Sequence, residues 1–122
     1  MKKLLIVISL LISIFSCIKK DDNVIQSAYM FPNPFTAYGS SLATFRTGFK
    51  QAVIGETISV TVYDLNYQTV WAFTSTITAN PHDISWGGEN QNGITVAPGI
   101  YLVKINVNGS LSGEEWFRII IN

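Results

Sequence analysis

The chain is poor in reactive chemistry. Its 122 residues include one cysteine, Cys17, and one histidine, His82. A lone thiol cannot close an intrachain disulfide, so no disulfide framework staples a fold here. Any triad, histidine metal site or proton relay would have to be built on His82 alone. That residue follows Pro81 at the start of a short strand pattern, where an ordinary surface role is expected. Charged residues are only 13% of the chain and cancel to a net charge of zero, so nothing resembles a nucleic-acid footprint. Asp64 and Asp83 are isolated acids at turn or strand edges. Glycoside hydrolysis needs two carboxyls across a cleft, and Asp64 is expected to cap its own turn. Glu89-Asn90-Gln91-Asn92 offers oxygens, but only one carboxylate, where calcium sites want several. The expectation is a non-enzyme with no metal and no cofactor.

No apolar run is long enough to span a bilayer as a helix. Leu4 to Phe15 is an apolar stretch of twelve residues broken by Ser9 and Ser13, and Lys2-Lys3 precede it. That is the layout of a signal peptide. It ends Ile14-Phe15-Ser16-Cys17, which resembles a bacterial lipobox: a branched apolar residue at −3, a small residue at −1, then the cysteine. The resemblance implies lipidation of Cys17, cleavage before it, and a partner in the membrane itself. Residues 1–16 are then signal peptide and 17–27 a lipidated tether. The mature chain keeps six basic and eight acidic side chains. Ile18-Lys19-Lys20-Asp21-Asp22 resembles the surface-export signal of Bacteroidetes lipoproteins. It implies an outer-membrane lipoprotein on the cell surface, with a periplasm-facing one as the alternative.

Residues 28–122 read as one β domain. Aromatic and β-branched residues are plentiful. Pro32 and Pro34 exclude a helix or central strand, and mark an edge or crossover after an apolar run at 28–31. A strand of undetermined facing covers 41–47. Ile58, Val60 and Val62 alternate with Ser59, Thr61 and Tyr63, which argues a half-buried strand. Asp64 to Tyr67 makes a turn, with Asn66 the candidate for left-handed backbone. The return strand, 68–76, completes a hairpin. A short strand at 82–86 leads into Gly87-Gly88, Asn92-Gly93 and Pro98-Gly99, all turn signals. Tyr101, Val103, Ile105 and Val107 then share one face of the most regular strand. In the last strand, Phe117, Ile119 and Ile121 oppose Trp116, Arg118 and Ile120. About seven short strands with a turn at each junction are the pattern of an Ig-like, fibronectin III-like antiparallel β-sandwich.

Three pieces in order carry a family resemblance: Phe31-Pro32-Asn33-Pro34-Phe35, Val62-Tyr63-Asp64-Leu65, and Trp86-Gly87 with Asn92-Gly93 and Pro98-Gly99-Ile100-Tyr101. Their order and spacing resemble the Ig-like domain of the flagellar hook-capping protein family. They also resemble the related C-terminal sorting domains of type IX secretion substrates. The resemblance spans nearly all of the chain after the tether. It implies structural roles for Gly87, Gly93, Pro98 and Gly99. Tyr101 looks like a tyrosine corner.

Function is therefore expected to be binding or assembly, with an envelope protein or a glycan as partner. A sugar-stacking surface would use tryptophans. Trp71 and Trp116 are the expected outward pair, because Val70 and Phe117 fit the inward face. The alternatives carried forward are a glycan-binding surface lipoprotein and a type IX sorting-like domain.

Overall fold

The computed structural model describes residues 23–122, an all-β sandwich of seven strands. The strands are β1 (Ile25–Phe31), β2 (Ala43–Phe49), β3 (Thr57–Tyr63), β4 (Thr69–Thr76), β5 (His82–Trp86), β6 (Gly99–Asn108) and β7 (Gly113–Ile121). They form two antiparallel sheets, ordered β1-β2-β5 and β4-β3-β6-β7. The Ig-like sandwich expected from the alternation is the observed fold. The signal-peptide and lipidation readings, Cys17 included, lie outside the described residues.

Alternation makes the sandwich. Ile58, Val60 and Val62 of β3 are buried, and so are Tyr101, Val103, Ile105 and Val107 of β6. Across from them, β2 and β5 contribute Ala43, Phe45, Ile84 and Trp86. Each strand shows water one face and the core the other, which fixes register, because a one-residue slip would expose the whole apolar set. Phe45 lies at the centre, with ring centroids 5.8 Å from Trp86, 6.2 Å from Trp71 and 6.4 Å from Phe117. β1 begins at Ile25, with Val24 and Ile25 both buried. The sandwich therefore takes in residues that a tether ending at Ser27 leaves out.

The segment after β1 crosses from one sheet to the other. Phe35 is buried and pairs in parallel with Ile121 of β7; its N–H reaches Ile120 O at 2.9 Å. At the other end of β7, Asn23 pairs in parallel with Ser112. Between them Asn33 donates to Arg118 O and accepts the Ile120 N–H. The outer edge of β7 is thus covered at both ends by residues flanking β1. The prolines at 32 and 34 suit this crossover, where no ladder needs their missing N–H groups.

Candidate functional site

Trp116 stands on the outer face of the four-stranded sheet, opposite Lys104. It is 45% exposed. Tyr63 comes from β3 and stacks on it across β6, with centroids 5.4 Å apart and planes 24° apart. Tyr67, from the β3–β4 turn, meets Trp116 edge-on at 6.4 Å. Lys104 Nζ lies 5.7 Å from the Trp116 ring centre and 3.2 Å from Glu114 Oε1. The sheet's pleat aims these residues to one side, and the turn holds Tyr67 beside them. In that turn Asp64 Oδ1 accepts the N–H groups of Asn66 and Gln68 at 2.9 and 3.0 Å. Tyr67 carries the left-handed backbone (φ 59°), not Asn66 as its side-chain chemistry predicts. The result is an aromatic face flanked by one cation and one anion.

Trp71 is not part of it. It is 8% exposed and packs in the core, 5.6 Å from Trp86. The expectation that it faces outward is corrected by an irregularity in β4. Thr69 pairs with Tyr63 and Trp71 with Val62, so Val70 is an extra residue between them. Such a bulge shifts the alternation by one and places Trp71 over inward-facing Val62. The Val70 carbonyl accepts instead from Gln91 N at 3.1 Å. Trp71 and Trp116 thus occupy opposite faces of the sheet.

His82 is also corrected. It is 7% exposed, not a surface residue. His82, Ile84 and Trp86 are the inward set of β5, and Pro81 places the first of them where the strand starts. Nδ1 accepts the Thr78 N–H at 3.3 Å, while Nε2 is buried without a partner among the described residues. Burial pushes its pKa down, against a weaker opposing pull from the Asp83 carboxylate. Asp83 itself faces out and forms a two-pronged pair with Arg46, at 2.8 Å for both bonds. Hydrogen bonding to Arg46 holds the Asp83 carboxyl below its usual range and pushes the Arg46 guanidinium up. Arg46 also lies 4.8 Å from the Phe31 ring centre. Among the described residues no three His, Cys, Asp or Glu side chains converge as a metal site.

The turn-rich stretch from Trp86 to Tyr101 is held by its own hydrogen bonds. Trp86 Nε1 donates to Glu89 O at 2.9 Å, and Asn90 Oδ1 accepts from the N–H groups of Asn92 and Ile94. Tyr101 OH donates to Ala97 O at 2.5 Å, the geometry of a tyrosine corner at the start of its strand. Burial, with the Asp64 carboxylate nearby, pushes the phenol pKa up and keeps it a donor. Gly88 and Gly93 take left-handed backbone, at φ 82° and 79°. Of the Gly87-Gly88 pair expected at this turn, Gly88 is the one that takes left-handed backbone. Asp64, Asn90, Asn92, Thr95 and Tyr101 line an open depression of ≈ 430 Å³, but its best-placed oxygens, on Asp64 and Asn90, are spent on their own turns.

No protein-family model matches the chain, and neither does any curated protein. Two solved structures from Porphyromonas gingivalis are similar. Dimeric latent PorU superposes with a TM-score of 0.66 at 22% identity, over 77% of this chain and 9% of PorU. PorZ, described as an essential bacterial surface component of the type IX secretion system, superposes with a TM-score of 0.53 at 21% identity. That match covers 79% of this chain and 11% of PorZ. The chain thus corresponds to a small part of each protein, and the likeness is one of fold.

Proposed function

We propose that this chain carries a non-catalytic docking module of the sorting-domain kind, recognised by type IX secretion machinery. One observation carries the reading. The sandwich has the fold of a segment of PorZ, a surface component of that system, and the three ordered motifs of the sequence resemble type IX sorting domains. Motif order and superposition are separate lines of support, one from side-chain identity and one from backbone path. A lipid on Cys17 would hold the module in the outer membrane, facing the cell surface.

The test is a reporter fusion. Residues 23–122 are placed behind a signal peptide and a fluorescent reporter in a cell with a working type IX system. The expected result is reporter in the medium or on the surface, and its retention when the system is disabled. A reporter retained in both strains overturns the reading. Labelling with radioactive palmitate tests the anchor: label on the native chain and none on Cys17→Ser is expected.

A second reading is favoured by the Trp116 face. An exposed indole backed by Tyr63 and bordered by Lys104 and Glu114 suits the apolar face and hydroxyls of a sugar ring. Tryptophan fluorescence would then shift with an envelope polysaccharide, and Trp116→Ala would abolish the shift. An unchanged spectrum across a broad polysaccharide panel sinks this reading and leaves the first untouched.

A further inference from the structure

The two edges of the four-stranded sheet differ in what remains unpaired. The β7 edge is covered by Asn23, Asn33 and Phe35. The β4 edge is covered only at its start. There Gln91 N donates to Val70 O, and Gln91 Oε1 accepts the Ala72 N–H at 3.3 Å. Alternate residues of β4 point their peptide groups at β3 or away from it. Val70 and Ala72 point away, and Ile77 N bonds Glu56 O on the β3 side. Thr74 and Thr76 therefore also point away. Among the described residues, four groups on this edge have no partner: Ala72 C=O, Thr74 N–H, Thr74 C=O and Thr76 N–H. The Thr76 carbonyl accepts from Ser75 Oγ.

This remaining set is its own complement. A two-fold axis through Thr74 brings a second β4 alongside, antiparallel. Thr74 N–H then meets Thr74 C=O in both directions, and each Thr76 N–H meets the other copy's Ala72 C=O. All four groups on each chain are used, and none is left over. Gln91 blocks further pairing toward Val70, which fixes the register. The side chains agree. β4 carries no charge and no proline, the usual guards of an exposed edge. No like charges would face each other, and threonine would lie opposite threonine, a favourable cross-strand pair. Phe73 is 46% exposed although it lies over inward-facing Val60. In the paired form it opposes Ser75 and meets the second Phe73 on the diagonal, within aromatic reach.

We propose that the β4 edge is the interface with a second copy of this chain, forming one continuous eight-stranded sheet across a two-fold axis. This is independent of the secretion reading, since it concerns how the module pairs and not what recognises it.

Residues facing each other in a hydrogen-bonded antiparallel pair have Cα atoms about 5.5 Å apart, within the range a disulfide accepts. Thr74→Cys, expressed in the native chain and oxidised mildly on intact cells, is therefore expected to give a band of twice the mass on a non-reducing gel. Thr61→Cys, on the central strand β3, and the native chain are expected to give none. A Thr74→Cys band no stronger than the Thr61→Cys band overturns the proposal. A second measurement uses Thr74→Pro. Proline is tolerated on edge strands when the lost N–H faces outward, so the fold is kept, as circular dichroism can verify. The detergent-solubilised native protein should run as a dimer by light scattering and the proline variant as a monomer. A native monomer, or a proline variant that stays dimeric, contradicts the assignment.

Discussion

Asn33 Oδ1 accepts the Ile120 N–H at 3.0 Å while Asn33 Nδ2 donates to the Arg118 carbonyl at 3.3 Å. One side-chain amide, set between two prolines, takes the place of a strand residue along β7. Asn33→Ala removes both bonds. At about 1 kcal/mol for each bond, urea unfolding should show a loss of about 1–2 kcal/mol. Asn33→Asp keeps only the acceptor and should recover part of it.

His82 gives a pH dependence of definite sign. Its folded pKa is depressed by burial, and a proton on Nδ1 would also face the Thr78 N–H. The unfolded chain binds a proton near the ordinary value of about 6.5, while the folded chain resists it. Stability is therefore full above that value and falls as pH drops below it. Urea midpoints between pH 7.5 and 5.5 should decline in the native chain. In His82→Asn the slope over that window should flatten.

Gly88 and Gly93 share left-handed backbone but not surroundings. A Cβ at Gly93 meets open space, whereas one at Gly88 would stand 2.4 Å from Ala37 Cβ and 3.2 Å from the Phe35 ring. Gly93→Ala should cost about 1–2 kcal/mol, from backbone strain alone. Gly88→Ala should cost more, and thermal melts of the two variants compare them directly.

The tryptophans should separate cleanly. Trp71→Ala empties a buried site and should cost about 3–5 kcal/mol. Trp116→Ala loses its stack on Tyr63 and should cost about 1 kcal/mol. Equal losses would contradict the faces assigned to them.

Strand number and facing were legible because the alternation is strict in β3, β6 and β7, where one face meets water and the other the core. The failures are local events that alternation cannot report. A bulge at Val70 turned Trp71 inward, and residue types near 70 do not announce it. His82 is expected at the surface because it follows Pro81 at a strand start, while its parity with Ile84 and Trp86 points to the core. Asn33 and Asn80 each precede a proline, and both lend their amides to backbone groups elsewhere. Asn80 holds the Phe49 N–H and C=O at 3.1 Å each. A side chain doing the work of a strand leaves no period behind. Of the aromatic face, Trp116 could be read from β7; Tyr63 and Tyr67 joined it only through strand order. The open β4 edge depends wholly on that order.

The parallel pairing along β7 has a mechanical meaning. Asn23 meets Ser112 at one end of that strand and Phe35 meets Ile121 at the other. Nine residues of extended chain place these points about 30 Å apart. Residues 23 and 122 thus lie at opposite poles of the sandwich. A pull between them runs along β7, and loads the bonds of Val24, Asn33 and Phe35 to it in shear, together and not in succession. Tension applied between residues 23 and 122 should therefore meet all of these bonds at once, and not peel them one by one.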